Sequence, residues 1–182
     1  GESLFVGQTD RTDLTRRGLV AFDLAGRIPA GATVVRVDLA MDVTRRNNVL
    51  PVSVGLHRML TEWGEGDSDA PGQEGAGTQA QPGDATWLHS HSPSQLWTTP
   101  GGDFVSEVSA SVTITENGSY MWNSTSALVD DVQSWLDAPA SNFGWVLKGD
   151  ETTTATAVRF ASRQNATGAS PPTLTVEYVT SV

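Results

Sequence analysis

Apolar and polar residues alternate along much of the chain, a pattern typical of β-strands. The clearest case is residues 33–43, in which Val35, Val37, Leu39, Met41 and Val43 alternate with charged and small residues. A period of two places the apolar side chains on one face, so we predict a strand with one buried and one solvated face. Residues 52–57 and 173–178 alternate in the same way, the second with Leu174, Val176 and Tyr178 pointing inward.

Other apolar segments predict further strands. Residues 19–24 and 143–147 are more continuously apolar and indicate strands covered on both faces. Shorter candidates rich in β-branched or aromatic residues are 3–6, 104–108, 111–114, 119–122 and 157–162. Because turn-forming residues separate these segments, we predict an all-β fold: an antiparallel β-sandwich of jelly-roll type, forming one domain over residues 1–182.

One segment has helical spacing instead. Between residues 126 and 136 the apolar residues fall at intervals of three and four positions. Polar residues 124–126 offer an N-cap, and Pro139 lies just beyond the end. We therefore predict one short amphipathic helix, which closes an open end of the sandwich.

Residues 62–84 form a long acidic, glycine-rich segment with almost no apolar side chains, which we interpret as a surface loop. Closely spaced carboxylates on such a loop suit Ca²⁺, and the candidate ligands are Glu65, Asp67, Asp69 and Glu74. The spacing is not that of an EF-hand, because Pro71 falls where the third ligand should be. A solvated acidic loop without a metal is the open alternative.

Six tryptophans is a high number for 182 residues. Exposed indole rings stack on sugars, whereas buried ones supply core. Trp135 lies on the apolar face of the predicted helix and Trp145 in an apolar strand, so both are expected to be core. Trp87 and Trp97 are therefore the best candidates for a carbohydrate platform, with Trp63 a weaker third.

Charge and composition limit the function classes. A net charge of -10 argues against nucleic-acid binding, which needs clustered Lys and Arg. No apolar run approaches the roughly 18 residues needed to enter a membrane as a spanning helix. The absence of cysteine excludes disulfides, thiolate zinc sites and a cysteine nucleophile. No catalytic constellation stands out, so we predict a non-enzyme, with a glycosidase-like carboxylate pair left open.

Three N-glycosylation sequons begin at Asn117, Asn123 and Asn165. They carry glycans only if the source organism glycosylates its secreted proteins.

Several motifs together give the chain a family resemblance. They are residues 16–24, 28–33, 56–58, 61–66, 83–87, 131–136, 142–145, 159–162 and 172–178. With these motifs, nearly the whole chain resembles the DNRLRE-type extracellular bacterial modules, which are related to carbohydrate-binding module family 96. The resemblance implies a secreted or cell-surface β-sandwich without catalytic activity, which binds acidic polysaccharide and in some members carries Ca²⁺.

The negative charge of the chain constrains such binding. An anionic glycan would be repelled unless Ca²⁺ bridges the two or arginines cluster. Arg45, Arg46 and Arg58 are the candidates for such a cluster, and scattered surface charge is the alternative.

A second function follows from a departure from the family. Members usually have another strand before the segment corresponding to residues 3–6, whereas this chain starts at Gly1. A sandwich that lacks an edge strand exposes unpaired backbone and accepts a strand from a neighbour. The alternative prediction is therefore a self-assembling subunit of an extracellular filament or surface layer, and the single lysine, Lys148, leaves few charges to guard the edges.

Overall fold

The computed structural model describes residues 1–11, 14–46, 50–166 and 168–180. Its strands are β1 (Ser3–Gln8), β2 (Thr15–Arg16), β3 (Gly18–Val20), β4 (Thr33–Arg46), β5 (Val52–Arg58), β6 (His89–His91), β7 (Gln95–Leu96), β8 (Ala110–Ile114), β9 (Gly118–Trp122), β10 (Trp145–Lys148), β11 (Val158–Ala161) and β12 (Thr173–Val179). Its α-helix is α1 (Ser126–Asp137), followed by a 3-10 turn at Pro139–Ser141.

The strands form two antiparallel sheets and a small ribbon. In the first sheet, β12, β4, β11, β1 and β2 are joined in that order, and β9 also pairs with β4. The second sheet has the order β3-β10-β5-β8, and β6 pairs with β7. Leu39 of β4 pairs with Leu174 on one edge and with Trp122 on the other, so β12 and β9 flank β4. The prediction of an all-β, antiparallel, sandwich-like fold with one helix is confirmed.

The main core lies between the two sheets, where the alternating apolar residues meet. From β4 it receives Val37, Leu39 and Met41, all buried, and from β9 and β11 the rings of Trp122 and Phe160. These two rings contact each other with centroids 5.9 Å apart. Burial of this apolar surface is the main force that holds the sheets together.

One inward position of β4 was predicted wrongly. Val35 is 51 % exposed, and the adjacent Val34 is buried instead. The pairing with β12 shifts register between Glu177 and Tyr178, so Tyr178 pairs with Val34 and Val35 has no partner. A bulge of this kind reverses the face of the residues beyond it, and it also leaves Tyr178 partly exposed.

Helix α1 joins the two sheets at one end of the sandwich. It starts at the predicted cap, where the Thr125 hydroxyl accepts from the Leu128 N–H at 3.1 Å. Gln133 accepts from the N–H of Val34 at the start of β4, and Asp131 contacts the second sheet. The predicted helix is therefore present, and it contacts both sheets.

The strand predicted at residues 104–108 is wrong, and the one at 19–24 is shorter than predicted. Phe104 makes only an isolated bridge with Met59, and the Val105 carbonyl faces the His57 ring at 3.1 Å. The His57 side chain thus takes up the Val105 carbonyl, which would otherwise be available to pair with a neighbouring strand. The strand at 19–24 ends at Val20.

The edge that the self-assembly hypothesis used is covered only in part by the strands that the structure describes, and β12 offers a further unpaired edge. β1 pairs with β11 through Ser3–Val6 and with β2 through Gly7 and Gln8. Among the described strands, β12 pairs only with β4 and so has one unpaired edge. No helix within the described residues is both long and apolar enough to cross a bilayer.

Candidate functional site

The long connection between β5 and β8 covers part of the outer face of the second sheet. A second, smaller apolar cluster forms there around the buried residues Met59, Trp97 and Val146. Partly buried aromatic rings of Trp63 and Phe104 pack against it. The connection therefore folds back onto the sheet and leaves the rest of this face open.

Two of the three predicted platform tryptophans, Trp63 and Trp97, fasten the β5–β8 connection to the sheet. Trp97 is 6 % exposed, and its Nε1 donates to the Thr86 carbonyl at 2.8 Å. Trp63 is partly buried, and its Nε1 donates to the Phe143 carbonyl at 2.8 Å. With its rings packed against other protein atoms, Trp97 offers no free face to a sugar.

Trp87 is different, because 43 % of it is exposed. The Arg17 guanidinium lies 4.7 Å from the centre of its ring, and Arg17 is itself fixed by two bonds of 2.6 and 2.8 Å to the Glu151 carboxylate. Gly101 (φ 94°) packs on the same side of the ring as Arg17, since its carbonyl accepts from Arg17 Nη1 at 2.8 Å and a Cβ there would collide with that nitrogen and lie 3.0 Å from the indole. A cation–π contact and close packing thus hold a large exposed ring in one orientation.

Trp87 lines a small pocket of about 190 Å³ together with Arg17, and a separate groove of about 600 Å³ opens on the outer face of the second sheet. Gly55 of β5 forms its floor, and Ser111 of β8 and Lys148 of β10 pair with Gly55 on either side. The ring of Phe104 separates the groove from Trp87: the Lys148 ammonium lies 5.1 Å from its centroid, and the Arg17 guanidinium 5.2 Å. Arg17 and Phe104 therefore lie between Trp87 and the groove.

His57 lies at the inner wall of the groove and is 8 % exposed. Its ring packs edge-on against Phe104, with centroids 5.4 Å apart. Burial lowers the pKa of His57, and so does the Lys148 charge, although the Val105 carbonyl works in the opposite direction. The imidazole is therefore neutral at pH 7. Its Nδ1–H donates to Val105, which leaves Nε2 as an acceptor.

The acidic segment is organised by a carboxylate that the sequence analysis did not select. Asp84 is 4 % exposed and accepts from the backbone N–H groups of Asp67, Ser68 and Gln81 at 3.1, 3.4 and 2.7 Å. Burial raises the pKa of Asp84, but these N–H groups outweigh burial and hold it below its ordinary value. Asp84 follows Gly83, which has a positive φ. This Gly-Asp pair is the feature of the sequence from which a turn ordered by the Asp84 carboxylate could have been predicted.

The structure does not gather the four predicted calcium ligands into a site. Glu65 forms an ion pair of 2.8 Å with Arg163, and Glu74 accepts from the Glu2 N–H at 2.7 Å. Asp69 lies 4.0 Å from the N-terminal amine, and Asp67 contributes its backbone N–H to Asp84. Within the described ranges, no three His, Asp or Glu side chains are arranged to hold a metal ion.

The three predicted arginines are divided between the two sheets. Arg58 of β5 points to the buried Asp131, with Nε 3.1 Å from Oδ1. Arg45 and Arg46 lie at the end of β4 in the first sheet, and the Arg46 guanidinium donates to the Leu50 carbonyl. The structure therefore does not unite all three in one basic patch.

The sequon asparagines lie at the surface to different extents. Asn117 and Asn123 are exposed on either side of β9. Asn165 is partly buried, and its Nδ2 donates to the Glu2 carbonyl at 3.2 Å. Thr167, the third residue of that sequon, lies outside the described residues.

No family model matches the chain, and no curated protein matches its sequence significantly. The resemblance to the DNRLRE-type modules stays a prediction.

Proposed function

We propose that the chain is an extracellular, non-catalytic module that binds carbohydrate, with Trp87 as the residue on which a sugar ring stacks. The observation that carries this proposal is the exposed indole that Arg17 and Gly101 fix in one orientation from one side. A ring that is already ordered loses little conformational entropy when a ligand stacks on it.

The neighbouring groove supports the same function. Its lining combines apolar side chains such as Val108 with the hydroxyls of Ser53 and Ser111. Concave surfaces with a few convergent polar groups are the usual form of small-ligand sites. A glycan stacked on Trp87 would extend over Phe104 into this groove.

A glycan array with wild type, Trp87→Ala and Leu88→Ala tests the proposal. Leu88 is the matched control, because it is 53 % exposed and adjacent in sequence. We expect Trp87→Ala to weaken binding at least about 30-fold, the size of a binding hot spot of about 2 kcal/mol, and Leu88→Ala to have little effect. Equal binding by all three proteins would refute the role of Trp87.

We further propose that the carbohydrate is an acidic polysaccharide and that Ca²⁺ bridges it to the protein. Because the chain carries a net charge of -10, a bridging cation would favour an anionic glycan. The array is therefore run with Ca²⁺ and with a chelator. Loss of acidic-glycan binding on chelation supports the bridge, and unchanged binding removes Ca²⁺ from the proposal.

Self-assembly is the second candidate, favoured by the unpaired edge of β12. Val179 on this strand is 56 % exposed, and unguarded edges pair with strands of other chains. Negative-stain electron microscopy over a concentration series tests this candidate. Regular filaments or sheets that disappear in Val179→Lys would support it, and dispersed particles at every concentration would contradict it.

A further inference from the structure

The groove contains two polar groups of opposite hydrogen-bonding character that form no hydrogen bond or ion pair with the described residues. One is the Nε2 of His57, and the other is the Lys148 ammonium. Both belong to the outer face of the second sheet, His57 on β5 and Lys148 on β10. Val146 pairs with His57 and Lys148 with Gly55, so the two side chains are near neighbours on this face.

The His57 acceptor faces the floor of the groove. Nδ1 is occupied by the Val105 carbonyl, and Nε2 lies 3.5 Å from the position that a Cβ on Gly55 would take. The residue is more than nine-tenths buried, yet this nitrogen borders the groove. A neutral imidazole in this tautomer needs a donor from outside the protein.

The Lys148 ammonium is the complementary donor. Among the described residues it has no carboxylate within ion-pair distance and no hydrogen-bond acceptor, and it lies over the Phe104 ring instead. The nearby carboxylates are engaged elsewhere: Asp150 accepts from the N–H groups of Thr152 and Thr153, and Glu151 holds Arg17. The only lysine of the chain is thus left facing a groove.

We propose that this groove is a second sugar subsite that takes two adjacent hydroxyls of an uncharged sugar residue. One hydroxyl donates to His57 Nε2, and the other accepts from Lys148. A carboxylate or sulfate group carries no proton at neutral pH and would meet the Nε2 lone pair unfavourably, whereas a vicinal diol satisfies both groups. Gly55 provides the space, because any side chain there would enter the groove.

This subsite rests on the proposed function, since it receives another sugar residue of the glycan that stacks on Trp87. The two claims nevertheless have separate reporters. Selective isotope labelling of the single lysine and of the three histidines gives resolved side-chain NMR signals for the groove, and the Trp87 indole N–H reports on the platform. The probes are glucose, mannose, galactose, glucuronate and inorganic sulfate, each titrated into the intact chain.

We expect at least one neutral hexose to shift the His57 and Lys148 signals together, with saturation. In Lys148→Met, which keeps an unbranched side chain over Phe104, the affinity for that hexose should fall roughly tenfold. Gly55→Val should block the groove, because its Cβ would stand 3.3 Å from Val108 Cγ1. Trp87→Ala should leave the groove titration unchanged, which separates the subsite from the platform.

The opposite results are equally clear. Shifts of Trp87 alone would refute the subsite and leave the proposed function in place. Shifts of Lys148 with sulfate or glucuronate but with no neutral hexose would replace the hydroxyl subsite by an anion site. If no probe shifts either the groove signals or the Trp87 signal, both the subsite and the platform are refuted. If Gly55→Val does not fold, Lys148→Met alone decides.

Discussion

Replacing Asp131 by alanine removes the acceptor that fastens α1 to the second sheet. Asp131 is 8 % exposed, and its Oδ2 accepts from the Ser109 hydroxyl at 2.6 Å and from Trp145 Nε1 at 2.8 Å. Its Oδ1 lies 3.1 Å from the Nε of Arg58. The substitution therefore leaves three donors without their partner, two of them buried.

The expected loss in the free energy of unfolding depends on whether each donor can bind water once the Asp131 carboxylate is removed. Breaking a buried ion pair by removing one partner costs about 3–5 kcal/mol. The Arg58 side chain is 33 % exposed and can recover water, which moves the expectation toward the lower end. Trp145, at 0 % exposure, cannot recover water, so its unsatisfied N–H adds about 1 kcal/mol or more. We expect a loss of about 3–5 kcal/mol in the free energy of unfolding, or roughly 6–20 °C in Tm.

Guanidinium denaturation of wild type, Asp131→Ala and Asp130→Ala measures this loss. Asp130 is the matched control, because it is the adjacent carboxylate on α1 and is exposed. Its removal should change stability by less than about 0.5 kcal/mol. A loss below about 1 kcal/mol for Asp131→Ala, or equal losses for the two variants, would refute the role of Asp131 as the fastening point.

Three further predictions concern the core, the acidic segment and the platform. Trp145→Phe should cost about 1 kcal/mol more than Trp135→Phe in the same denaturation assay, because Nε1 of Trp135 has no partner among the described residues; equal losses would contradict this. Asp84→Asn should destabilise the chain at pH 7. Because the folded pKa of Asp84 lies below its ordinary 3.8, its stabilisation is lost on acidification, so urea titrations should show the difference shrinking below about pH 4, and a constant difference would count against it. Arg17→Met should weaken glycan binding by roughly two- to fivefold in calorimetry through looser orientation of Trp87, and unchanged affinity would show that this cation–π contact is dispensable.

The long strands and the helix could be predicted because their signal is local. The alternation in residues 33–43 and the spacing of Leu128, Val132 and Trp135 each reflect a single element with one buried face. The bulge that exposes Val35 depends on the pairing of β4 with β12, a contact between residues more than a hundred positions apart. No local pattern encodes it.

The site was predicted only in part, for a similar reason. Trp87 and Trp97 look equivalent in sequence, yet the folded-back connection buries one and leaves the other exposed. The groove residues Gly55, His57 and Lys148 occupy ordinary outward positions of strands. Their significance arises because Phe104 and its neighbours cover the rest of that face, which is a tertiary arrangement.

The most direct measurement of the central claim is a glycan titration followed by the indole N–H signals of the six tryptophans, using the strongest glycan from the array. The account predicts that the signal of Trp87 moves with saturation. The indole signals of Trp63 and Trp97, whose N–H groups are bonded to the carbonyls of Phe143 and Thr86, should stay in place. Saturable glycan binding that shifts the signals of other residues but not that of Trp87 would contradict the account.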